Sequence, residues 1–278
     1  MNLSISPGKN NVGAYINDIN LKSLDQDQAT EIKKILNKYG VIFIKEQNLD
    51  PETYQNFAKN IGQPVVYPRL KGLDEKFPFI NVIERKPDDK NLSFGSSWLH
   101  QDTSYLANDR PRYTMLMGIE IPVGQGNTIF SSGFNAYDKL PDDIKEKIKD
   151  ATGVFSSAGP IAITRLEREK EMGIKSSESM EAEHPIVITV DGKKTLYVSP
   201  GHLMKIKNVK EDEAEYLKNY LVDHVNKEDF IFSYEWTKGD ICLWDNLSIL
   251  HMASEIKNCR RVMPVSYTHL RAHETLLD

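Results

Sequence analysis

The sequence predicts an α+β protein: a jelly roll or barrel of short strands with a few helices on its outside. Three observations lead there. Two amphipathic helices lie ahead of Gly62, and beyond it many short β-branched and aromatic runs alternate with turns. No internal repeat or domain linker interrupts that texture. With 40% hydrophobic and 27% charged residues in 278, the chain has enough apolar material for a globular core.

The elements follow in order. Leu24–Tyr39 sets Ile32, Ile35, Leu36 and Tyr39 on one helical stripe. Val41-Ile42-Phe43-Ile44 is a buried strand by its β-branched and aromatic content. Asp50-Pro51 offers an N-cap and an N1 proline, and Tyr54, Phe57, Ala58 and Ile61 then repeat the helical spacing up to Gly62. Strands are expected at Phe79–Glu84, Tyr113–Ile121, Thr128–Ser131, Val154–Ser157, Ile186–Val190 and Thr195–Val198. More are expected at Phe230–Trp236, Ile241–Trp244 and Arg261–Met263. Asp191-Gly192 marks a hairpin between two of them, and Glu211–Val225 is a further helix, with Ala214, Leu217, Leu221 and Val225 on one face. The polar stretch Gly159–Glu183 is either an active-site lid or surface.

Net charge and composition narrow the function classes. Lys and Arg total 35 against 40 acids, a net charge of −5, and are dispersed, so no footprint for nucleic acid stands out. No apolar run is long enough to span a bilayer, and Met1–Pro7 has no secretory pattern. Cys242 and Cys259 are too few for a disulfide framework, which fits a reducing cytoplasm. The expected partner is a small molecule, with a homo-oligomer left open.

Val265–Thr275 (Val-Ser-Tyr-Thr-His-Leu-Arg-Ala-His-Glu-Thr) resembles the in-frame translation of a transposase adapter used in short-read library preparation. Residues 1–263 are therefore expected to form one domain, and Pro264–Asp278 to be a non-native read-through tail. Packing after Met263 should then be weaker than that of a core strand, and dense burial of Tyr267, Leu270 and Leu277 would count against this.

Trp98-Leu99-His100-Gln101-Asp102 holds a His-x-Asp pair between a Gly/Ser-rich loop and a long strand. In extended backbone, positions i and i+2 face one way, so His100 and Asp102 can approach one cation. Gly239–Asn246, then His251, then Arg260-Arg261 form a second cluster. Two histidines and a carboxylate on one face of an ion leave three positions open, as in non-haem Fe(II) oxygenases, enough for a bidentate α-keto acid and O2. The keto acid's far carboxylate would need a buried guanidinium, for which Arg261 suits; Arg260 alternates to the other face, and Thr128 could add a hydroxyl.

Taken together, Trp98–Asp102, Gly126–Gly133, Gly239–Asn246 with His251, and Arg260–Met263 resemble the taurine dioxygenase / 2,4-dichlorophenoxyacetate dioxygenase family over about Ile5–Met263. The resemblance implies a double-stranded β-helix and an Fe(II)- and 2-oxoglutarate-dependent hydroxylation that releases succinate and CO2. It implies His100, Asp102 and His251 as iron ligands, and Thr128 and Arg261 as 2-oxoglutarate contacts. Asp102 argues against the halogenating relatives, which vacate that position. Leu99 is an insertion within the family's usual Trp-His-x-Asp, and Leu247 stands where its arginine commonly follows Asn246. Pro64-Val65-Val66 replaces the stretch with a substrate histidine ahead of the tyrosine that Tyr67 matches, and the family's second arginine would fall at Val265; the first of these speaks against taurine itself. Tyr67, Tyr105, Phe155 and Tyr197 are candidate pocket walls, Trp98, Trp236 and Trp244 core residues, and His184, His202 and His224 surface or structural ones. A hydrolytic zinc site and a non-enzymatic jelly-roll binding module are the rival readings.

Overall fold

The computed structural model describes residues 3–67, 71–90, 95–162 and 178–269. Strands among them are β1 (Ser4–Pro7), β2 (Ala14–Asn17), β3 (Val41–Ile44), β4 (Gln63–Val65), β5 (Asn81–Arg85), β6 (Tyr113–Met117), β7 (Thr128–Ser132) and β8 (Thr152–Ser156). They continue with β9 (Glu181–Pro185), β10 (Val187–Val190), β11 (Lys193–Leu196), β12 (Leu203–Lys207), β13 (Ile231–Tyr234), β14 (Ile241–Asp245), β15 (Ile249–Ala253) and β16 (Arg261–His269). The α-helices are α1 (Gln26–Tyr39), α2 (Pro51–Ile61), α3 (Gly133–Asp138), α4 (Asp142–Ile148) and α5 (Ala214–Val225). The protein is thus mixed α+β and strand-dominated. None of the described helices is long and apolar enough to cross a membrane.

A large sheet runs β1-β2-β3-β14-β6-β16-β4, with β5 also paired to β16. Opposite it stands the three-stranded sheet β13-β7-β15; β12-β8-β9 and the hairpin β10-β11 complete the set. Alternation explains why the central strands are apolar at every position. Val41 and Phe43 of β3 face one way with Cys242 and Trp244 of β14, into a cluster shared with Phe130, Tyr234 and Ile249 of the smaller sheet. Ile42, Ile44, Ile241 and Leu243 face the other way, against Ile32, Ile35 and Leu36 of α1 and Tyr54, Phe57 and Ile61 of α2. The inter-sheet layer is aromatic: Phe43 stacks on Tyr234 at 4.6 Å, and Phe130 meets Trp244 edge-on at 5.5 Å.

Local chemistry sets the helix ends. Asp25 accepts from the Gln28 amide, and the Gln28 side chain returns to the Asp25 amide, a capping box. Gly40, at φ +77°, closes α1 and turns the chain into β3 in one residue. Asp50 caps α2 through the Thr53 amide at 2.8 Å.

Several expectations shift. Both hairpin-turn residues, Asp191 and Gly192, adopt positive φ, so Val190 pairs with Lys193 and the second strand begins earlier than Thr195. The strand from Tyr113 ends at Met117: the Gly118 amide still reaches the Asp240 carbonyl at 2.9 Å, but the Gly118 carbonyl accepts from the Gly239 amide at 2.7 Å while the Asp240 amide turns to Thr237, which breaks the ladder. Within Gly159–Glu183, residues 163–177 lie outside the described residues, and Glu181–Glu183 belong to β9, paired with β8. The expectation of weak packing after Met263 is overturned where it can be read. β16 continues past Met263 to His269, pairing with β5, β6 and β4 in turn. Val265 and Tyr267 are only 1% and 2% exposed. The Tyr54 hydroxyl, which bonds the Met115 carbonyl at 2.7 Å, also reaches that of Pro264 at 3.1 Å. Leu270 and Leu277 lie outside the described residues.

Candidate metal centre

His100 and His251 are far apart in sequence but directly opposed in space. The His100 amide donates to the His251 carbonyl at 3.0 Å, and the His251 amide returns to His100 at 2.8 Å. Residues opposed in this way present their side chains to the same face, and the two imidazoles meet with ring centres 4.3 Å apart. Asp102, two residues on, joins them. Its Oδ1 lies 3.8 Å from His100 Nε2 and 3.7 Å from His251 Nε2. Two ligands each about 2.1 Å from one ion can be no more than about 4.2 Å apart, and both distances obey that limit. The three donor atoms all lie within 4.8 Å of one another.

Neighbouring groups aim these donors. His100 Nδ1 bonds the Trp98 carbonyl at 3.0 Å, so Nδ1 carries the proton and Nε2 presents its lone pair. Asp102 Oδ2 accepts from Thr114 Oγ1 at 2.7 Å, Thr114 accepts from Asn246 Nδ2 at 2.8 Å, and Asn246 Oδ1 accepts from Trp244 Nε1 at 3.0 Å. That chain leaves Oδ1 free. Beneath it, Arg112 and Asp245 form a buried ion pair at 2.9 Å. Burial pushes both histidines down, His251 well below its usual value with further help from His100 and His202; at His100 the Asp102 charge opposes the shift. Burial raises the Asp102 carboxyl. Two imidazoles kept neutral beside a desolvated carboxylate form a donor set that fits a divalent cation.

Arg261 and Thr128 line the same cavity of about 40 Å³ as the three donors. Arg261 is 5% exposed, and its Nε and Nη2 have no hydrogen-bond partner among the described residues. Burial lowers it to about 10, so it is charged at neutral pH. Thr128 Oγ1 accepts from Trp236 Nε1 at 2.9 Å, which leaves its own proton for an acceptor. An unpaired buried guanidinium beside a free hydroxyl donor fits a carboxylate. Arg260 faces outward and pairs with Glu84 and Glu120.

The remaining candidates distribute unevenly. None of Tyr67, Tyr105, Phe155 and Tyr197 is among the described residues of the cavity wall. Tyr67 stacks at 4.5 Å on Tyr267, which does line it, and Tyr105 sits behind, its hydroxyl 3.5 Å from that of Tyr67. Phe155 and Tyr197 pack instead in the third apolar cluster, with α3, α4 and α5. Trp98 is 40% exposed and not a core residue, whereas Trp236 and Trp244 are buried as expected. His202 is the omission that matters. It is buried, edge-on to His100 at 5.9 Å, with Nδ1 bonded to Ser104 Oγ at 2.9 Å. Its only sequence signal was the turn-forming Pro200-Gly201 before it. Gly95 is also part of the site: at φ +70°, a Cβ there would stand 3.3 Å from the His100 ring.

Comparison with known proteins agrees with this geometry. The family model described as "Taurine catabolism dioxygenase TauD, TfdA family" matches residues 4–267. An alkylsulfatase of Acinetobacter baylyi is 30% identical over 87% of this chain and 77% of its own length. An alpha-ketoglutarate-dependent sulfate ester dioxygenase of Pseudomonas putida is 27% identical over 91% and 84%. Among solved structures, a taurine dioxygenase from Burkholderia xenovorans shares the fold at TM-score 0.79 and 24% identity, over 96% of this chain and 91% of that one. The protein AAD-2, solved with Mn(II) and N-oxalylglycine, does so at TM-score 0.80 and 21% identity, over 98% and 99%. Family match, shared fold and clustered donors agree, and the chain belongs to the taurine catabolism dioxygenase TauD, TfdA family.

Proposed function

We propose that the chain is an Fe(II)- and 2-oxoglutarate-dependent dioxygenase that hydroxylates a small organic substrate. The observation that carries this is the convergence of His100, Asp102, His251 and the unpaired Arg261 on one cavity. His100, Asp102 and His251 hold the iron. Arg261 and Thr128 hold the distal carboxylate of 2-oxoglutarate, and Thr114 with Asn246 keeps Asp102 aimed. Ile83, Leu116, Ala253 and Val265 make the rest of the wall apolar, which excludes water and suits the hydrocarbon part of a substrate. When bound, the metal would provide the place where O2, the oxidant, is activated; the keto acid would give up two electrons and CO2 to become succinate with one atom of O2, and the substrate would give up the other two and take the second atom. The large sheet and the β13-β7-β15 sheet are read as the two layers of a double-stranded β-helix, and residues 1–263 as a single domain.

The names of the two relatives make alkyl sulfates the first substrates to try; sulfonates and aryloxyacetates follow, after a sulfonate dioxygenase of Saccharomyces cerevisiae and a 2,4-dichlorophenoxyacetate dioxygenase of Cupriavidus pinatubonensis that the chain also resembles. Substrate-stimulated succinate release with Fe(II) and 2-oxoglutarate is the expected result. Turnover that needs metal but no keto acid would favour the hydrolytic reading instead. We also propose that Pro264–Asp278 arose by read-through: resequencing the locus from a library made without the adapter should give different codons after Met263, and identical codons would refute this.

A further inference from the structure

The turn immediately after Asp102 is held in an unfavourable shape. Thr103 sits at φ +50°, the left-handed region that β-branched residues avoid, and the Leu106 amide closes the turn on the Thr103 carbonyl at 2.8 Å. Residues 102–105 are all buried. Such a conformation persists only where surrounding contacts impose it.

Beside the one from Ser104 Oγ to His202, His184 of β9 makes two of those contacts. Its Nε2 lies 2.9 Å from the Ser104 carbonyl and 3.0 Å from the Leu106 carbonyl, reaching both halves of the turn. Its Nδ1 faces the guanidinium of Arg110, which can only donate. Nδ1 must therefore accept, so the proton resides on Nε2, where the two carbonyls need it. Burial and the nearby Arg110 charge lower His184 to about 4, so the ring is neutral at ordinary pH. Phe155 and Tyr197 pack against the ring at 5.6 and 5.4 Å and fix its plane. Arg110 lies over the Tyr197 ring at 5.0 Å, which places the guanidinium.

We propose that His184, oriented by Arg110, is a positioning residue that pins the Asp102–Leu106 turn and thereby aims the Asp102 carboxylate at the metal. This rests on the metal-centre reading above. His184 touches neither the metal donors nor the cavity; it acts through the backbone that carries one of them.

The test is equilibrium binding of Mn(II), with free ion counted by electron paramagnetic resonance, to the full chain and three variants. His184→Leu removes the pin at similar volume and should weaken Mn(II) binding about tenfold, the lower end of what loss of an outer-shell partner costs. His184→Gln can still accept from Arg110 through Oε1 and donate to Ser104 through Nε2, and should stay within about twofold of the unaltered chain. Arg110→Met frees the tautomer while leaving the imidazole in place, and should fall between them. Were His184→Leu not to fold, Arg110→Met against His184→Gln decides the matter. Wild-type affinity in His184→Leu or Arg110→Met overturns the clamp, as does a His184→Gln as weak as His184→Leu. Absence of Mn(II) binding in the unaltered chain overturns the metal reading, and the clamp with it.

Discussion

Asp102→Asn should lower Mn(II) affinity by more than the ~10–100-fold that removal of an outer-shell partner costs, and should lower succinate release by about a thousandfold or more. The hydrogen-bond chain behind Asp102 makes this substitution sharper than its small size suggests. Asn246 donates to Thr114, so the Thr114 hydroxyl must donate onward to position 102. An asparagine satisfies that donor only by turning its carbonyl oxygen toward Thr114, which leaves the NH2 where Oδ1 faces His100 and His251. A donor would then point at the cation. Metal-free stability should move the other way. Burial raises the Asp102 carboxyl, so folding disfavours its ionised form, and that cost is fully present once pH exceeds the raised value. At neutral pH the neutral amide avoids it. The metal-free variant is therefore expected to melt no lower than the unaltered chain while losing the metal, a pairing that misfolding could not produce. Unchanged Mn(II) binding would remove Asp102 from the site.

How far the site was legible in the sequence depends on whether its determinants are local. The α1 capping box, Pro51 at the start of α2, the Asp191-Gly192 turn and the apolar run of β3 are written within a few residues each. The His-x-Asp face and the split between Arg260 outside and Arg261 inside follow from the two-residue period of extended chain. What stayed illegible is register between distant segments. Nothing near His251 announces β15 or its pairing with His100, and the contact between His202 and His100 needs the turn after Val198 to fold back over the site. The end of β16 failed for a different reason. Val265-Ser266-Tyr267-Thr268 alternates apolar and polar residues like any half-buried strand, a pattern that fits the space between β6 and β4 whatever the origin of the codons.

Arg261→Met should weaken 2-oxoglutarate binding about a hundredfold while raising the melting temperature of the ligand-free protein. Methionine can retain the packing of the stem beside Gly126, where a Cβ would stand 3.1 Å from Arg261 Cδ, and loses only the charged fork. In the free protein that fork is a liability: Nε and Nη2 are buried without partners among the described residues, and an uncompensated buried charge costs several kcal/mol after relaxation. The lowering of Arg261 to about 10 states the same cost as a proton equilibrium. A basic group whose folded value is depressed opposes folding throughout the range below that value, where it is charged, and relief comes only as pH rises through about 10. Substitution gives the same relief at pH 7. With the keto acid present the balance reverses, because a carboxylate is what the fork and the Thr128 hydroxyl lack, and losing one side of a buried charged pair costs about 2–5 kcal/mol. Arg261→Lys should fall between the two, keeping the charge but not the parallel donors. Calorimetric melting and titration with 2-oxoglutarate on the same preparations read both effects. A variant that lost affinity together with stability would show that Arg261 supports the fold and is not held in readiness for an anion.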